Sequence, residues 1–394
     1  MGKKVILAFS GGLDTSFSVP YLIDKGYEVV TMTVDTGGFS SSELNRIAKK
    51  SKKLGAVRHY QINGKKAMFN KIIAYIIKTN GLYEGSYPNM CSDRYIIAEE
   101  LVKIAKKEKT KFVAHGSSAM GNDQVRFDVA LMTIAPQLEI ITPIRETGGD
   151  REKEKEFLEK KGFKVDKISK KYTVNQNILG ITYSGSEIDN FGEPDEEMFL
   201  WTKLKRIKPE YLKISFFEGI PVAIDGKKIS GEKIIQFLNK KVGEFGFGRG
   251  YYTGDCVIGI KGHIVFEAPG ILTLIKAHLA LEQLVLTKHQ LTIAQFINQQ
   301  FTDLLYSGKF YEPAVENLKK FVDSQQKRIS GEVVLKLSPN QVEPVEIKSP
   351  YSLINPKIAT YAQKCSWTPD DARGFIKLYG LQGKIARSIL KNEN

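Results

Sequence analysis

Short apolar runs alternate with amphipathic stretches through the first 145 residues. Residues 5–9, Val-Ile-Leu-Ala-Phe, are apolar throughout, the pattern of a strand buried on both faces. A Gly-rich loop follows, then a helical stretch predicted to run to Lys25, with Gly26 closing it. Pro20 falls inside that stretch and predicts a bend, because proline removes a backbone donor. Residues 29–34 read as a second strand, and 41–54 as a helix capped by Ser41 or Ser42. Tyr60 and Ile62 mark a third strand. Helices are predicted over 66–78, ended by Asn80-Gly81, and over 93–107, and strands over 112–114 and 138–141. Strands alternating with helices mean βαβ units, so the predicted fold class is α/β with a doubly wound parallel sheet.

Gly148-Gly149-Asp150 and the charged run behind it read as a connector and a surface helix. Beyond Gly162 the alternation stops. Residues 212–216 and 221–224 face each other across Glu218-Gly219 as an antiparallel hairpin. A second hairpin is predicted from 257–260 and 263–266 around Lys261-Gly262, and a third from 333–337 and 345–347 across Ser338-Pro339-Asn340. Two long helical stretches lie near 271–306 and 312–323, and a tail helix near 370–378. The predicted division is a nucleotide-binding domain over 1–163, an α+β domain over 164–362 and a tail over 363–394. There is no internal repeat and no low-complexity segment.

Composition removes several function classes. The most apolar segment, 271–297, is interrupted by Lys276, Glu282 and Lys288, short of the roughly 18 uninterrupted apolar residues that a membrane helix needs. The 394-residue chain has only three cysteines, Cys91, Cys256 and Cys365, which predicts a reducing compartment and no structural zinc cluster. The N-terminus runs directly into a strand, so no secretory signal is expected and a cytoplasmic location is predicted. The 58 Lys and Arg against 44 Asp and Glu leave a net charge of +14. Runs such as Lys106-Lys107-Glu108-Lys109 mix both signs, as solvated helix faces do, and no basic and aromatic residues interleave in a stripe. Nucleic acid is therefore not the expected partner. The five histidines show no metal-ligand spacing, and no protein metal site is predicted.

The strongest local signal is Ser10-Gly11-Gly12-Leu13-Asp14-Thr15-Ser16, directly after the first strand and opening a helix. Ligands sit at the carboxyl ends of parallel strands, and free N–H groups at a helix start bind phosphate. The glycines let the backbone approach an anion without a Cβ in the way. The loop lacks the Gly-Lys-Ser/Thr ending of a Walker A motif and is not the G-x-G-x-x-G dinucleotide fingerprint. A plain strand–helix turn would need neither two glycines nor three hydroxyls and an acid in seven residues. A second polar cluster is Gly121-Asn122-Asp123-Gln124-Val125-Arg126-Phe127, preceded by His115-Gly116-Ser117-Ser118.

These two clusters, with Gly374-Phe375-Ile376-Lys377-Leu378-Tyr379-Gly380-Leu381 in the tail, resemble the argininosuccinate synthase family of N-type ATP pyrophosphatases over nearly the whole chain. The resemblance implies an adenine nucleotide alpha-hydrolase-like first domain and a synthetase and multimerisation domain behind it. It implies an ATP-dependent carbon–nitrogen ligase: ATP adenylates the ureido oxygen of citrulline with release of pyrophosphate, and the aspartate amine then displaces AMP. ATP and Mg2+ are the implied cofactors, and a homo-oligomer, a tetramer in the family, is the implied assembly. By motif position Ser10, Gly11, Gly12, Asp14, Thr15 and Ser16 would hold the phosphates, Ala8 and Val34 the adenosine, and Gly116 would approach the nucleotide. Ser118, Asn122 and Asp123 match aspartate-binding positions, and Asn122 and Arg126 match citrulline-contacting ones. Asp14, Asp123 and Arg126 form the implied catalytic set, acting by positioning and charge stabilisation.

Departures from the family pattern gather at the acceptor. Tyr87 and Ser92 can be matched there, but a family threonine becomes Cys91, and two serines become Thr173 and Thr182. The family's Asp-Glu-Asn run becomes Asn175-Gln176-Asn177. A glutamate that contacts the citrulline head group falls on Gly254, a tyrosine on Phe266 and an arginine on His263. Either another acid compensates, such as Glu267 or Asp255, or the acceptor is not citrulline. Beside the orthodox reading stand a ligase with a different acceptor, a tRNA-modifying ATP pyrophosphatase using Cys91 and Cys256, and a non-catalytic nucleotide-binding paralogue.

Overall fold

The computed structural model, which describes residues 3–164 and 171–391, builds its first sheet from five parallel strands. These are β1 (Lys3–Ala8), β2 (Tyr27–Asp35), β3 (Arg58–Asn63), β4 (Phe112–Ala114) and β5 (Glu139–Ile141), in the order β3-β2-β1-β4-β5. Val5, Ile6 and Leu7 at the centre are fully buried, which is why this stretch reads as a continuous apolar run. Period 2 still sorts them: Val5 and Leu7 pack with Phe17, Leu22 and Leu158, while Ile6 packs with Ile72, Leu101 and Phe127 on the opposite face. The strand order turns back at β1 and β4, so the loops leaving their carboxyl ends open at a topological switch point.

The helix after β1 is Leu13–Asp24. It is unbroken across Pro20, which is buried, and Gly26 follows it with φ +85°. The next helix, Ser41–Lys53, is capped not by Ser41 or Ser42 but by Ser40, which forms a capping box with Glu43. Helix 65–78 contains a wider π-type turn at Phe69–Ile73. Helix Asp93–Lys107 keeps the expected bounds, and Arg151–Lys160 is capped by Asp150.

Past residue 171 the sheets are antiparallel. β6 (Thr173–Asn177), β7 (Gly180–Ser184), β11 (Arg249–Asp255) and β12 (Lys261–Glu267) form one, in the order β11-β12-β7-β6. β8 (Glu210–Phe217), β9 (Ile220–Ile224), β10 (Lys227–Lys228), β13 (Gly331–Ser338) and β14 (Gln341–Lys348) form a second, in the order β10-β9-β8-β13-β14, and β15 (Ala359–Thr360) pairs with β16 (Lys364–Cys365) in a small third.

The hairpin expected around Lys261-Gly262 is displaced. Residues 257–260 are its turn, not a strand: the Cys256 amide donates to the Ile260 carbonyl at 2.8 Å, and Gly259 has φ +84°. The long stretch near 271–306 is two helices, Pro269–Val285 and Lys288–Tyr306, separated by extended Leu286 and restarted by a Thr287–Gln290 capping box. Helix Pro313–Gln326 follows.

By internal contacts the chain divides into Met1–Tyr351 and Ser352–Asn394. The second unit holds helices Pro369–Tyr379, longer than the predicted 370–378, and Leu381–Lys391, which the sequence reading missed; neither has a buried residue.

Candidate active site

The backbone of the 10–16 loop is arranged for an anion. Gly11 has φ +79°, which a side chain would strain, and Gly12 starts the helix with no side-chain cap on its free N–H groups. The Ser16 hydroxyl donates to the Gly12 carbonyl at 2.6 Å, and the Ser10 hydroxyl lies 3.3 Å from that of Thr15. Lys50, unnoticed in the sequence, donates to the Gly11 carbonyl at 2.8 Å and brings a positive charge under the loop. Gly116, leaving β4, lies against this turn: a Cβ there would come within 2.9 Å of Thr15 Cγ2. Ala8 ends β1 and Val34 is buried near the end of β2, both at the same edge of the sheet. Asp14 stands half-exposed in the first turn of its helix. Glu154 is buried with neither carboxylate oxygen hydrogen-bonded. Burial, then the charge of Asp14, pushes its carboxyl up to about 7.

A chain of ion pairs and hydrogen bonds runs from the end of β2 to the second polar cluster. The Thr36 hydroxyl donates to Asp93 at 3.2 Å, Asp93 accepts from Arg94 at 2.6 Å, and Arg94 donates Nε and Nη2 to Asp123 Oδ2 at 3.1 and 2.7 Å. Arg126 donates Nη1 to the other Asp123 oxygen at 3.1 Å and Nε to the Tyr306 carbonyl at 3.0 Å, with its guanidinium over the Tyr306 ring. Burial raises the Asp123 carboxyl, but the two arginines outweigh it and hold the group below its ordinary range. Asn122 donates its side-chain amide to the Tyr306 hydroxyl at 3.3 Å and leaves its side-chain Oδ1 unpartnered. His115 braces the loop carrying Gly116 and the half-buried Ser118: its Nε2 lies 2.7 Å from Asp128, and its Nδ1 accepts from the Ser117 amide at 3.3 Å.

Tyr87 is fully buried beside this cluster, its ring against Tyr252, Phe266 and Tyr306 and its hydroxyl 3.4 Å from Cys91 Sγ. Burial pushes the Cys91 thiol up, the opposite of an activated thiolate. Ser92 is buried with an unpartnered hydroxyl. Thr182 is buried on β7 in register with Phe266, so it joins this group. Thr173 is exposed on the edge strand β6, opposite Ser184, and stands apart. Asn177 is structural, donating to the Met90 carbonyl at 2.7 Å and accepting from the Leu179 amide.

The two acids expected to replace the lost glutamate are engaged elsewhere. Glu267 accepts from the Leu200, Trp201 and Thr202 amides and from the Thr202 and Tyr183 hydroxyls, and Asp255 pairs with Lys261 at 2.5 Å. The carboxylate beside Gly254 belongs to Glu84. A Cβ at position 254 would lie 1.9 Å from Glu84 Oε2 and 2.4 Å from the Tyr252 hydroxyl, so a side chain there would have to push the Glu84 carboxylate out of its place. Glu84 sits in a left-handed turn, φ +46°, and accepts from the Tyr252 hydroxyl at 3.1 Å. Tyr83, its neighbour, stacks on Tyr306 with ring centroids 3.6 Å apart. Sequence reading missed Glu84, Arg94 and Tyr306 because 84 and 306 meet only through the fold; Arg94 alone carried a signal, lying beside the matched Tyr87 and Ser92.

Two family models cover the chain: an arginosuccinate synthase N-terminal HUP domain over residues 4–164 and an arginosuccinate synthase C-terminal domain over 172–386. An argininosuccinate synthase of Xanthomonas campestris pv. campestris is 42% identical over 394 residues, covering 98% of this chain and 99% of that protein. One from Saccharolobus solfataricus is 40% identical over 391 residues, with 98% and 99% covered, and one from Pyrococcus furiosus 38% identical over 394, with 98% and 95% covered.

Proposed function

The chain belongs to the argininosuccinate synthase family, and from that premise we propose that it joins citrulline to aspartate at the cost of ATP, as an AMP-forming carbon–nitrogen ligase of arginine biosynthesis. One observation carries the chemistry: a bare backbone cradle, Gly11-Gly12 with Gly116 closed against it, at the switch point of a parallel sheet. The uncapped N–H groups of helix Leu13–Asp24 hold pyrophosphate as it leaves, and the Thr15 and Ser16 hydroxyls steady the turn. Ala8 and Val34 line the adenosine. Asp14 and the orphaned Glu154 oxygens suit a hard divalent cation, so Mg2+ fits here, and it supplies charge neutralisation to the departing phosphates.

Ser118, Asn122 and Asp123 receive aspartate. Arg126, with Tyr87, Ser92 and Thr182, receives the acceptor, and a guanidinium fork suits its carboxylate. Glu84 supplies the negative charge for the acceptor's α-ammonium that position 254 no longer provides. Thr173, exposed on its edge strand, has the weakest support among the acceptor residues. The same reading assigns the nucleotide to residues 1–163, synthesis to 164–362 and association to 363–394. In the tail the exposed Phe375, Ile376, Leu378, Ile385 and Ile389 favour a homo-oligomer, a tetramer as in the family. The cytoplasm is the proposed compartment.

The test is to supply ATP, aspartate and citrulline and follow AMP and pyrophosphate. Stoichiometric, citrulline-dependent release of both supports the assignment; AMP release indifferent to citrulline overturns it.

A further inference from the structure

Helices Leu13–Asp24 and Arg151–Lys160 pack side by side in the same direction. Phe157 meets the ring of Phe17 at 5.1 Å, and Lys161 pairs with Asp24 at 2.7 Å. One helical turn back from the Phe157–Phe17 contact are Glu154 on one helix and Asp14 on the other. Glu154 thus occupies the face that Phe157 and Leu158 fill with apolar atoms, where a leucine would pack better. Its side chain is 2% exposed and neither oxygen has a hydrogen-bond partner. A carboxylate withdrawn from water in this way needs a positive partner. The anion cradle beside it receives a ligand that carries divalent cations. Mg2+ is usually held by one or two carboxylates together with phosphate oxygens, and Asp14 with Glu154 makes two.

We propose that Asp14 and Glu154 together form a divalent-cation site at the mouth of the 10–16 loop, its shell completed by pyrophosphate oxygens. The inference rests on the reading of that loop as a pyrophosphate cradle. It adds a protein ligand from a helix about 140 residues away in sequence, and it explains an acid that fold stability alone would remove.

The test uses the full-length chain, with Mn2+ titrated in the presence of inorganic pyrophosphate and followed by electron paramagnetic resonance. Glu154→Gln, nearly isosteric, and Asp14→Asn are each expected to weaken Mn2+ binding by about 10-fold or more. Glu154→Asp, which keeps the charge on a shorter arm, falls between wild type and Glu154→Gln, and it carries the comparison if the Gln variant does not fold. Glu152→Gln, on the exposed side of the same helix, removes the same charge and leaves Mn2+ binding unchanged. Calorimetry with pyrophosphate in excess chelator shows Glu154→Gln within about twofold of wild type. Wild-type Mn2+ affinity in Glu154→Gln, or an equal loss with metal-free pyrophosphate, overturns the site. A wild-type chain that binds pyrophosphate neither with nor without metal brings down the loop reading, and this inference with it.

Discussion

Glu84 gives the sharpest test of which acceptor the enzyme takes. Glu84→Gln removes one negative charge while keeping the shape and the Tyr252 contact at 3.1 Å. A fully desolvated carboxylate–ammonium pair that loses one partner costs 2–5 kcal/mol by general experience. Glu84 is an exposed residue, so water screens much of that interaction, and about 1–2 kcal/mol is the appropriate figure. That converts to a loss of about 5- to 30-fold in kcat/KM for citrulline. The assay measures AMP release against citrulline at saturating ATP and aspartate, and repeats it with 5-ureidopentanoate, which is citrulline without the α-amino group. Wild type should prefer citrulline by about that same 5- to 30-fold factor, and Glu84→Gln should lose the preference while its rate with the analogue stays unchanged. Gly254→Ala should resemble Glu84→Gln, because its new methyl carbon lies 1.9 Å from Glu84 Oε2 and must displace it. If Glu84→Gln slows both acceptors equally, or neither, the carboxylate does not read the ammonium and the compensation argument fails.

Four further outcomes are expected. Asp14→Ala should abolish isotope exchange of pyrophosphate into ATP, whereas Asp123→Ala should retain exchange and lose argininosuccinate formation; identical behaviour would refute the division of roles. Asp123→Ala should also destabilise the fold by about 2–4 kcal/mol, measured by denaturant unfolding, because the buried Arg126 and the partly buried Arg94 side chains lose a shared partner. Iodoacetamide should label exposed Cys365 first and Cys91 far more slowly, read by peptide mass spectrometry, since the Cys91 thiol is shielded and pushed up by burial; turnover that dies in step with fast Cys91 labelling would revive a thiol mechanism. A chain ending at Tyr351 should stay folded but run at lower assembly mass by light scattering, because the two helices beyond it belong to a separate unit and neither has a buried residue.

What was legible in the sequence follows from which forces are local. The parallel sheet could be read because its central strands β1, β2 and β4 are buried on both faces, so residues such as Val5, Ile6 and Leu7 carry the signal alone. The 10–16 loop could be read because a backbone cradle is made of consecutive residues. Apolar content misled where it was not the deciding term. Val257 and Ile258 looked like a strand, but the positive φ of Gly259 made a turn of them. The apolar run through 271–297 hid a break that Thr287 and Gln290 announce by capping, a polar signal three residues apart. Glu84 and Tyr306 were out of reach for a different reason. Their importance lies in pairings across 168 and 184 positions, with Tyr252 and Asn122 respectively, which no local pattern encodes; Arg94 pairs with Asp123 across 29 positions but stands beside the matched Tyr87 and Ser92.

The acceptor site shows why position-by-position matching understates such a protein. Gly254 reads as the loss of a glutamate when it is taken alone. In the fold, a side chain at 254 and a carboxylate at 84 compete for the same space, so an acid can approach from strand β11 or from the turn at Glu84 but not both. Tyr252 also binds the arrangement together, since its hydroxyl donates to Glu84 and its ring leans on Tyr83 and Tyr87. On the proposed reading, what matters to the acceptor is a positive charge at Arg126 and a negative one at Glu84, and not the chain position that supplies each sign. A substitution that restored a glutamate at 254 should therefore damage the enzyme unless Glu84 were shortened in the same chain. The double variant Gly254→Glu with Glu84→Ala should recover citrulline turnover relative to Gly254→Glu alone. Failure of that rescue, with both chains folded, would mean that the two carboxylates are not interchangeable and that the rim at Glu84 has another task.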